Sequence, residues 1–173
     1  MAADWNRKVC EDLTYGLYLV TSLDGDRLNG QLINTAIQVT SDPPRLAVII
    51  NKKNLTHEFI SKSRVYAVCV LEEAASLTFF GPFGFRSGRE VDKFAKVPFK
   101  KGTTGCPLVT DYTLSVMEVK VLNEMDVGTH TIFVGDLVNG ERLKEGRPLT
   151  YRYYRENLRG KTSANAPTYS PTP

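Results

Sequence analysis

The sequence predicts a mainly β protein: a β-barrel of six or seven strands with a few helices. Apolar or alternating runs typical of strands recur at short spacing, whereas only two or three segments have a helical pattern. Closing a sheet of such strands into a barrel removes its exposed edges. Because a domain usually holds roughly 100–200 residues, we expect one domain over residues 1–156. An extended C-terminal tail rich in Pro, Ser and Thr should follow at 157–173.

The first half of the chain alternates strands with tight turns. Residues 16–22 (GLYLVTS) predict a strand, and an Asp-Gly turn signal leads into a second strand that ends at Leu32. Residues 46–50 (LAVII) are a continuous apolar run, which is typical of a buried strand. A helical pattern begins at Leu55, with Thr56 as the candidate N-cap.

The second half of the chain continues in the same way. Its predicted elements are a buried strand at 66–71, a helix at 72–80, a loop rich in Gly and Phe at 81–88, and strands at 114–123 and 131–138. Gly135 lies inside the last of these strands, where a glycine suggests a bend or a bulge.

Charge and cysteine content argue against several classes of protein. The 22 Lys and Arg residues are scattered among 19 Asp and Glu, for a net charge of +3, so no basic stripe points to nucleic acid. Three widely spaced cysteines predict neither a disulfide framework nor a zinc site, and we expect no metal. The N-terminus lacks the apolar core of a signal peptide, and no run approaches the ~18 apolar residues of a membrane span. We therefore expect a cytoplasmic protein that has no membrane partner.

Residues 29–42 (NGQLINTAIQVTSD) carry many amides and hydroxyls on an otherwise apolar segment. One interpretation is a strand and turn ended by two prolines, because proline cannot donate to a β-ladder. The other is the wall of a ligand pocket, since amides satisfy both donors and acceptors on a heterocycle and pockets combine apolar walls with a few polar groups. The first interpretation leaves the amide and hydroxyl content unexplained, so a ligand wall is favoured.

Two further segments have the composition of anion sites. Residues 51–57 (NKKNLTH) open a helix, whose N-terminus presents free N–H groups to a phosphate; the alternative is ordinary capping with a solvated lysine pair. Residues 84–94 (GFRSGREVDKF) place Arg86, Arg89 and Lys93 among glycines. They form either a mobile loop that reaches a second anion or a surface loop with internal ion pairs. The residues alone leave these two alternatives equal.

Other catalytic and nucleotide-binding motifs are missing from the sequence. His57 and His130 are the only histidines, and two do not make a zinc site, which needs three or four clustered ligands. Gly81, Gly84 and Gly88 have the wrong spacing for a dinucleotide-binding G-x-G-x-x-G motif, so a Rossmann domain is not supported.

Taken together, these segments resemble the flavin reductase-like family, whose fold is the FMN-binding split β-barrel. The resemblance is strongest to the subgroup of flavoredoxin and of the NADH:FMN oxidoreductases paired with rubredoxins. It covers roughly residues 12–154 and follows the family's order of motifs. The segments that carry it are GLYLVTS at 16–22, NGQLINTAIQVTSDPP at 29–44, INKKNLTH at 50–57, GFRSGREVDKF at 84–94, VGTHTIFVG at 127–135 and LTYRYY at 149–154.

The resemblance implies a set of site residues. Along the isoalloxazine and ribityl chain it implies Asn34, Thr35, Ala36 and Gln38; around the phosphate Thr40, Asn51, Lys52, Thr56 and His57; and on the loop beside the flavin Arg86 and Ser87. It implies His130 as the catalytic residue near the face where nicotinamide stacks, and Tyr154 at the edge of the flavin site. Whether Lys52 or Lys53 contacts the phosphate stays open.

The resemblance also implies the activity. A hydride passes from NADH or NADPH to bound FMN, and the electrons go on to a flavin, a rubredoxin-type carrier or another acceptor. The protein is expected to be a homodimer with the flavin near the subunit interface. One alternative is a flavoredoxin-like FMN electron-transfer protein with little NAD(P)H turnover, and another is a binding module without redox activity. No Ser/His/Asp arrangement with supporting context is visible in the sequence, which agrees with this chemistry because it belongs to the cofactor.

Overall fold

The computed structural model describes residues 7–169 of the chain. In order, the elements are a 3-10 helix (Arg7–Asp12), β1 (Tyr18–Asp24), β2 (Arg27–Ile33), β3 (Ala36–Ser41), β4 (Pro44–Asn51), α1 (Leu55–Ser63), β5 (Val65–Leu71), α2 (Leu77–Gly84), β6 (Phe99–Lys101), β7 (Pro107–Val109), β8 (Thr113–Asp126), β9 (His130–Arg142) and α3 (Tyr151–Glu156). Residues 1–6 of the expected domain and 170–173 of the expected tail lie outside this range. Within the range, no helix has the length and apolar character that crossing a bilayer requires.

Seven strands form one antiparallel sheet in the order β2-β1-β5-β8-β9-β4-β3, and β6 pairs with β7 in a separate hairpin. The two edge strands, β2 and β3, follow each other directly in the chain, with only Asn34 and Thr35 between them. The sheet therefore curls until its edges approach at this point, which is a barrel with a split. The predicted mainly β fold and its number of main strands are confirmed, while the β6–β7 hairpin was missed.

The sheet is buried on both faces over much of its width. Leu19 of β1 and Ala67 of β5 belong to one apolar cluster. Their neighbours Val20 and Val68 belong to a second cluster. The first cluster includes side chains of α2 and α3, whereas the second draws on six strands and occupies the barrel interior. Since successive side chains of a strand point to opposite faces, this explains why these strands are continuous apolar runs in the sequence.

The polar run at residues 29–42 is divided between two strands. It includes the end of β2, a two-residue connection and β3, so the interpretation as one strand was wrong. Thr35 fixes the connection: its carbonyl accepts from the Ile49 N–H at 3.1 Å, and its hydroxyl donates to the Ile49 carbonyl at 3.2 Å. The chain thus passes from one edge of the sheet to the other at the split.

Two helix predictions require correction. The helix expected at 72–80 is α2 at Leu77–Gly84, because the Ser76 hydroxyl caps it by accepting from the Phe79 N–H at 3.3 Å. The first four residues of the predicted glycine-rich loop, 81–84, are therefore helical. The N-cap of α1 is Asn54 rather than Thr56, which lies inside the first turn.

The irregularity expected at Gly135 is confirmed. Val121 of β8 pairs with Gly135 and Asn123 with Val134, so Leu122 is the extra residue of a β-bulge. A Cβ atom at Gly135 would clash with the Lys120 carbonyl oxygen, so the two strands approach too closely there for any other residue.

Candidate functional site

A cavity of about 590 Å³ opens beside the split of the barrel. Its walls come from the ends of β2 and β4, the start of α1, the loop after α2, part of α3 and the C-terminal residues 161–167. This volume falls within the roughly 300–1,000 Å³ of small-molecule sites. Six of the residues implied by the resemblance line it: Asn34, Asn51, Thr56, Arg86, Ser87 and Tyr154.

One corner of this cavity, formed by the first turn of α1, is suited to an anion. Asn54 has extended backbone and no capping hydrogen bond from its own side chain. The N–H groups of Leu55 and Thr56 have no acceptor within the helix, as in any first helical turn, and they add to the positive end of the helix dipole. Asn29 of β2 reaches the same turn, donating from Nδ2 to the Thr56 hydroxyl at 2.8 Å.

Lys93 brings a buried cation to this cavity. The residue is 5% exposed, and its Nζ donates to the Gly30 carbonyl oxygen at 2.8 Å. Among the described residues, no carboxylate lies within ion-pair distance of Nζ. Burial lowers the pKa of Lys93 to about 8, because the charged form loses its hydration. An anion in the cavity would supply the missing counter-charge.

The arginines of the loop at 84–94 have different environments. Arg89 pairs with Glu58 of α1, with Nη2 to Oε1 at 2.5 Å and Nη1 to Oε2 at 3.1 Å, at the protein surface. Arg86 and Ser87 instead line the cavity. The ion pair of Arg89 thus joins the loop to α1 and is not internal to the loop, while Arg86, Ser87 and Lys93 belong to the cavity wall. Contact of this loop with an anion stays a prediction.

Two buried acceptors in the cavity wall have no partner. Asn29 Oδ1 and Asn34 Oδ1 are both buried, and within the described part of the chain neither receives a hydrogen bond. A buried polar atom left unsatisfied costs about 1–3 kcal/mol. A ligand with N–H or O–H donors would satisfy these acceptors, and both the ring N–H and the ribityl hydroxyls of a flavin are such donors.

The β3 residues implied by the resemblance do not line this cavity. Thr35 bonds to Ile49, as described above. Gln38 donates to the Thr40 carbonyl at 3.1 Å within β3, and Thr40 donates to the carbonyl of Pro43, in the following turn, at 2.5 Å; both bonds are exposed. Ala36 and Gln38 line a second cavity, of about 580 Å³. Their assignment to the flavin stays a prediction.

Lys52, His57 and His130 also lie off the cavity. Lys52 forms an ion pair with Asp126, whereas Lys53 lines the cavity. His57 shares a hydrogen bond with the Thr131 hydroxyl at 2.8 Å, and burial lowers the pKa of its imidazole. His130 bonds on both sides of its ring, through Nδ1 to the Thr129 hydroxyl at 2.8 Å and through Nε2 to the Asn165 carbonyl at 3.1 Å. Their predicted roles beside the flavin stay predictions.

The set of site residues implied by the resemblance omits several residues of the cavity wall. Asn29 and Lys93 lie inside segments that were singled out, but only their burial distinguishes them from their polar neighbours. The sequence gives a weak signal for Lys93, which stands directly before the buried Phe94. Residues 161–167 carry no such signal, because their place on the cavity depends on contacts with distant parts of the chain.

The chain matches the family described as the flavin reductase like domain over residues 10–161. It is 47% identical over 163 residues to a high molecular weight rubredoxin of Moorella thermoacetica, covering 94% of this chain and 71% of that protein. It is 46% identical over 157 residues to a ferric-chelate reductase (NAD(P)H) of Archaeoglobus fulgidus, covering 91% and 93%. Its structure is similar to that of an FMN-binding protein of Thermus thermophilus, with a TM-score of 0.74, 25% identity and coverage of 86% and 84%.

The residues that line the cavity and these comparisons indicate the same cofactor, a flavin. A buried cation beside a helix N-terminus fits a phosphate, and the two unsatisfied acceptors fit flavin donors. The predicted resemblance, the split-barrel fold and the flavin and nicotinamide cofactors are confirmed. The chain belongs to the flavin reductase-like family.

Proposed function

We propose that this flavin reductase holds FMN in the 590 Å³ cavity, with the phosphate at the corner formed by Lys93, Ser87 and the first turn of α1. The observation that carries this placement is Lys93, a buried cation with no carboxylate partner in the described range. Arg86 and Lys53 line the same cavity and add positive charge. Asn29 and Asn34 present the acceptors for ribityl and ring donors.

The bound FMN supplies the redox chemistry, since it can accept a hydride from a reduced nicotinamide and pass electrons on. The residues of the chain bind and orient it, and such positioning is the main contribution of a protein to a cofactor reaction. Consistent with this division, the cavity wall contains no Ser/His/Asp arrangement among the described residues.

The electron donor is NADH or NADPH, and the acceptor is a rubredoxin-type carrier, a free flavin or a ferric chelate. The name of the Moorella thermoacetica relative supports a rubredoxin-type carrier, and the name of the Archaeoglobus fulgidus relative supports a ferric chelate. The second candidate function is FMN electron transfer with little NAD(P)H turnover, which the same cavity would also serve.

We further propose that the protein is a cytoplasmic homodimer. The three cysteines are free, as is usual in a reducing compartment where NAD(P)H is available. Strand β3 is an edge of the sheet and exposes Ile37 and Val39, at 63% and 47%. An exposed apolar edge strand is a natural surface for a second copy of the chain.

An anaerobic reduction experiment tests the function. The purified protein is loaded with FMN, and its visible absorption is followed after NADH or NADPH is added. Rapid bleaching by either nucleotide is the expected result. Bleaching by dithionite alone would favour the electron-transfer alternative, and a protein that cannot be loaded with FMN would contradict the proposed site.

A further inference from the structure

Residues 161–169, the C-terminal segment, form one wall of the flavin cavity. Seven consecutive residues of it, 161–167, line the same cavity as Arg86 and Lys93. The segment has no helix or strand; its shape comes from two turns, in which Ala166 N–H donates to the Ser163 carbonyl at 2.9 Å and Tyr169 N–H to the Ala166 carbonyl at 3.0 Å. None of its residues is fully buried. A segment with few buried contacts is among the first parts of a fold to open.

Besides the bonds from α3 to Lys161 and Thr162, three hydrogen bonds attach this segment to the cavity rim. Asn165 Nδ2 donates to Asn54 Oδ1 at the start of α1, at 2.8 Å. His130, the first residue of β9, bonds to the Asn165 carbonyl at 3.1 Å. Asn34, at the split of the barrel, donates from Nδ2 to the Thr168 hydroxyl at 2.7 Å. The segment is therefore tied to three separate elements, and Asn165 provides two of the ties.

These contacts indicate which ring nitrogen of His130 carries the hydrogen. A carbonyl oxygen can only accept, so the Nε2 that faces Asn165 must carry the hydrogen. In the neutral ring Nδ1 then accepts from the Thr129 hydroxyl, which lies at 2.8 Å. Both ring nitrogens are engaged, and the side chain does not line the cavity. His130 thus contacts the C-terminal segment rather than the space for the flavin.

We propose that the C-terminal segment retains the flavin in its cavity and that His130 is a positioning residue which latches this segment through Asn165. The proposal rests on the proposed function and deepens it, because it makes FMN a retained group rather than a flavin exchanged at every turnover. Cofactor release requires the segment to open, and the bonds of Asn165 resist that opening. The rate of FMN dissociation therefore depends on His130 even though the two are not in contact.

The test compares His130→Phe, a chain that ends at Thr162, and the combination of the two. Ending at Thr162 keeps the bond from the Tyr154 hydroxyl to the Lys161 carbonyl, at 3.1 Å, and the bonds of Tyr151 and Arg155 to the Thr162 hydroxyl, so α3 remains anchored. FMN dissociation is followed by the recovery of flavin fluorescence after dilution. Each single variant should release FMN about tenfold faster or more, which corresponds to about 1.4 kcal/mol for a factor of ten. The combined variant should release FMN at the rate of the truncated chain.

The combined variant decides the role of His130. If His130→Phe accelerates release further in the truncated chain, the histidine contacts the flavin itself and the latch is overturned. If truncation leaves the rate unchanged, the segment does not retain flavin. A His130→Gln variant, whose side-chain amide can still donate to Asn165, should restore slow release. Failure of the unaltered protein to bind FMN would instead contradict the proposed function.

Two further variants are controls for a general loss of structure. Tyr169→Ser changes an exposed residue of the same segment, 43% accessible, whose side chain makes no hydrogen bond within the described range, so FMN release should not change. Asn165→Ala removes only the bond to Asn54 and should accelerate release by a smaller factor than truncation. The melting temperature of the flavin-free protein should be the same in His130→Phe and His130→Gln, so that a difference in release alone reports the latch.

Discussion

At the scale of single residues, a buried lysine without a counter-ion is costly, because an ammonium group loses its hydration and gains no charge partner in return. Lys93 has one hydrogen bond, to the Gly30 carbonyl. Gly30 is adjacent to Asn29, which bonds to Thr56 in the first turn of α1. The cation and the helix N-terminus therefore lie at the same corner of the cavity, where a phosphate would receive both charge and N–H donors.

The phosphate assignment predicts that Lys93 distinguishes FMN from riboflavin, which lacks the phosphate. Lys93→Met keeps most of the buried side-chain volume and removes the charge. It should weaken FMN binding about 10- to 100-fold, since a hydrogen bond to a charged group contributes about 1.5–3 kcal/mol. Riboflavin affinity should be unchanged, and fluorescence titration of both ligands measures the difference. Lys96→Met, at an exposed lysine in the same loop, is the matched control. Equal losses for both ligands would place Lys93 beside the ring instead.

The pH dependence of binding gives a second prediction for this residue. Burial lowers the pKa of Lys93 to about 8 in the cavity without ligand, so the cation is lost as the pH rises through that value. FMN affinity should therefore fall from pH 7 to pH 9, while riboflavin affinity stays level. Isothermal titration at several pH values measures both. Lys93→Arg, which remains charged throughout this range, should abolish the decline; a decline that persists in that variant would show that another group is responsible.

At the scale of elements, the extended apolar strands could be predicted and the connections could not. Residues 66–71 predicted β5 because both faces of that strand are buried. The division of the polar run at Asn34 and Thr35 depends on which edges of the sheet approach each other, and local pattern does not contain that information. The shift of α2 has a local cause, since the Ser76 cap overrode the helix propensity of the preceding residues.

Glu118 of β8 holds the loop between β6 and β7. This buried carboxylate accepts from the N–H and hydroxyl of Thr104 at 2.8 and 2.6 Å, from both donors of Thr103 at 3.1 Å, and from Asn139 Nδ2 at 2.8 Å. A Cβ atom at Gly102 would clash with the carboxylate, so the loop approaches it closely. Burial alone would raise the pKa of Glu118, but the hydrogen bonds, led by those of Thr104, lower it to about 2.

This carboxylate should make the stability of the protein depend on pH in the acid range. Because the pKa is lower in the folded chain than in the unfolded one, Glu118 contributes stability above the unfolded pKa of about 4.3, and the contribution is lost as the pH falls towards 2. The loss should reach about 2–3 kcal/mol, and Glu118→Gln should remove most of this dependence. Urea unfolding between pH 5 and pH 2.5 measures the free energy of unfolding. Glu141→Gln, at an exposed residue of β9, is the control; parallel curves for Glu118→Gln and the unaltered protein would contradict the role of Glu118.

At the scale of the whole molecule, the flavin cavity is assembled from distant parts of the chain. Asn165 bonds to Asn54 across 111 positions of sequence, and Asn34 to Thr168 across 134. Of the residues implied by the resemblance, those that belong to a local motif, such as Thr56 at the start of α1 and Arg86 in its loop, line this cavity. It could not identify the wall formed by residues 161–167, because a tail of small polar residues has no periodicity to indicate what it covers.

The edge at β3 is the other feature that belongs to the whole molecule. Only one side of β3 is paired in the described sheet, and Ile37 and Val39 are 63% and 47% exposed. The second cavity, of about 580 Å³, lies beside this strand and is lined mainly by apolar residues such as Leu46, Met117 and Leu137. Covering these surfaces with a second copy of the chain would contribute hydrophobic free energy. The described residues that line the second cavity do not line the first one, where FMN is proposed to bind.

A substitution on this edge tests the homodimer. Ile37→Lys places a charge in the proposed interface, where burying it without a partner is strongly unfavourable. In light-scattering chromatography the unaltered protein should have a mass near twice the 19.3 kDa of one chain, and the variant should shift towards the single-chain mass. Leu77→Lys, at a 44% exposed residue of α2, serves as the control and should remain dimeric. An unaltered protein of single-chain mass would refute the dimer. A variant that stays dimeric would show that the interface does not lie at β3. The partner subunit would then not be expected to cover the second cavity.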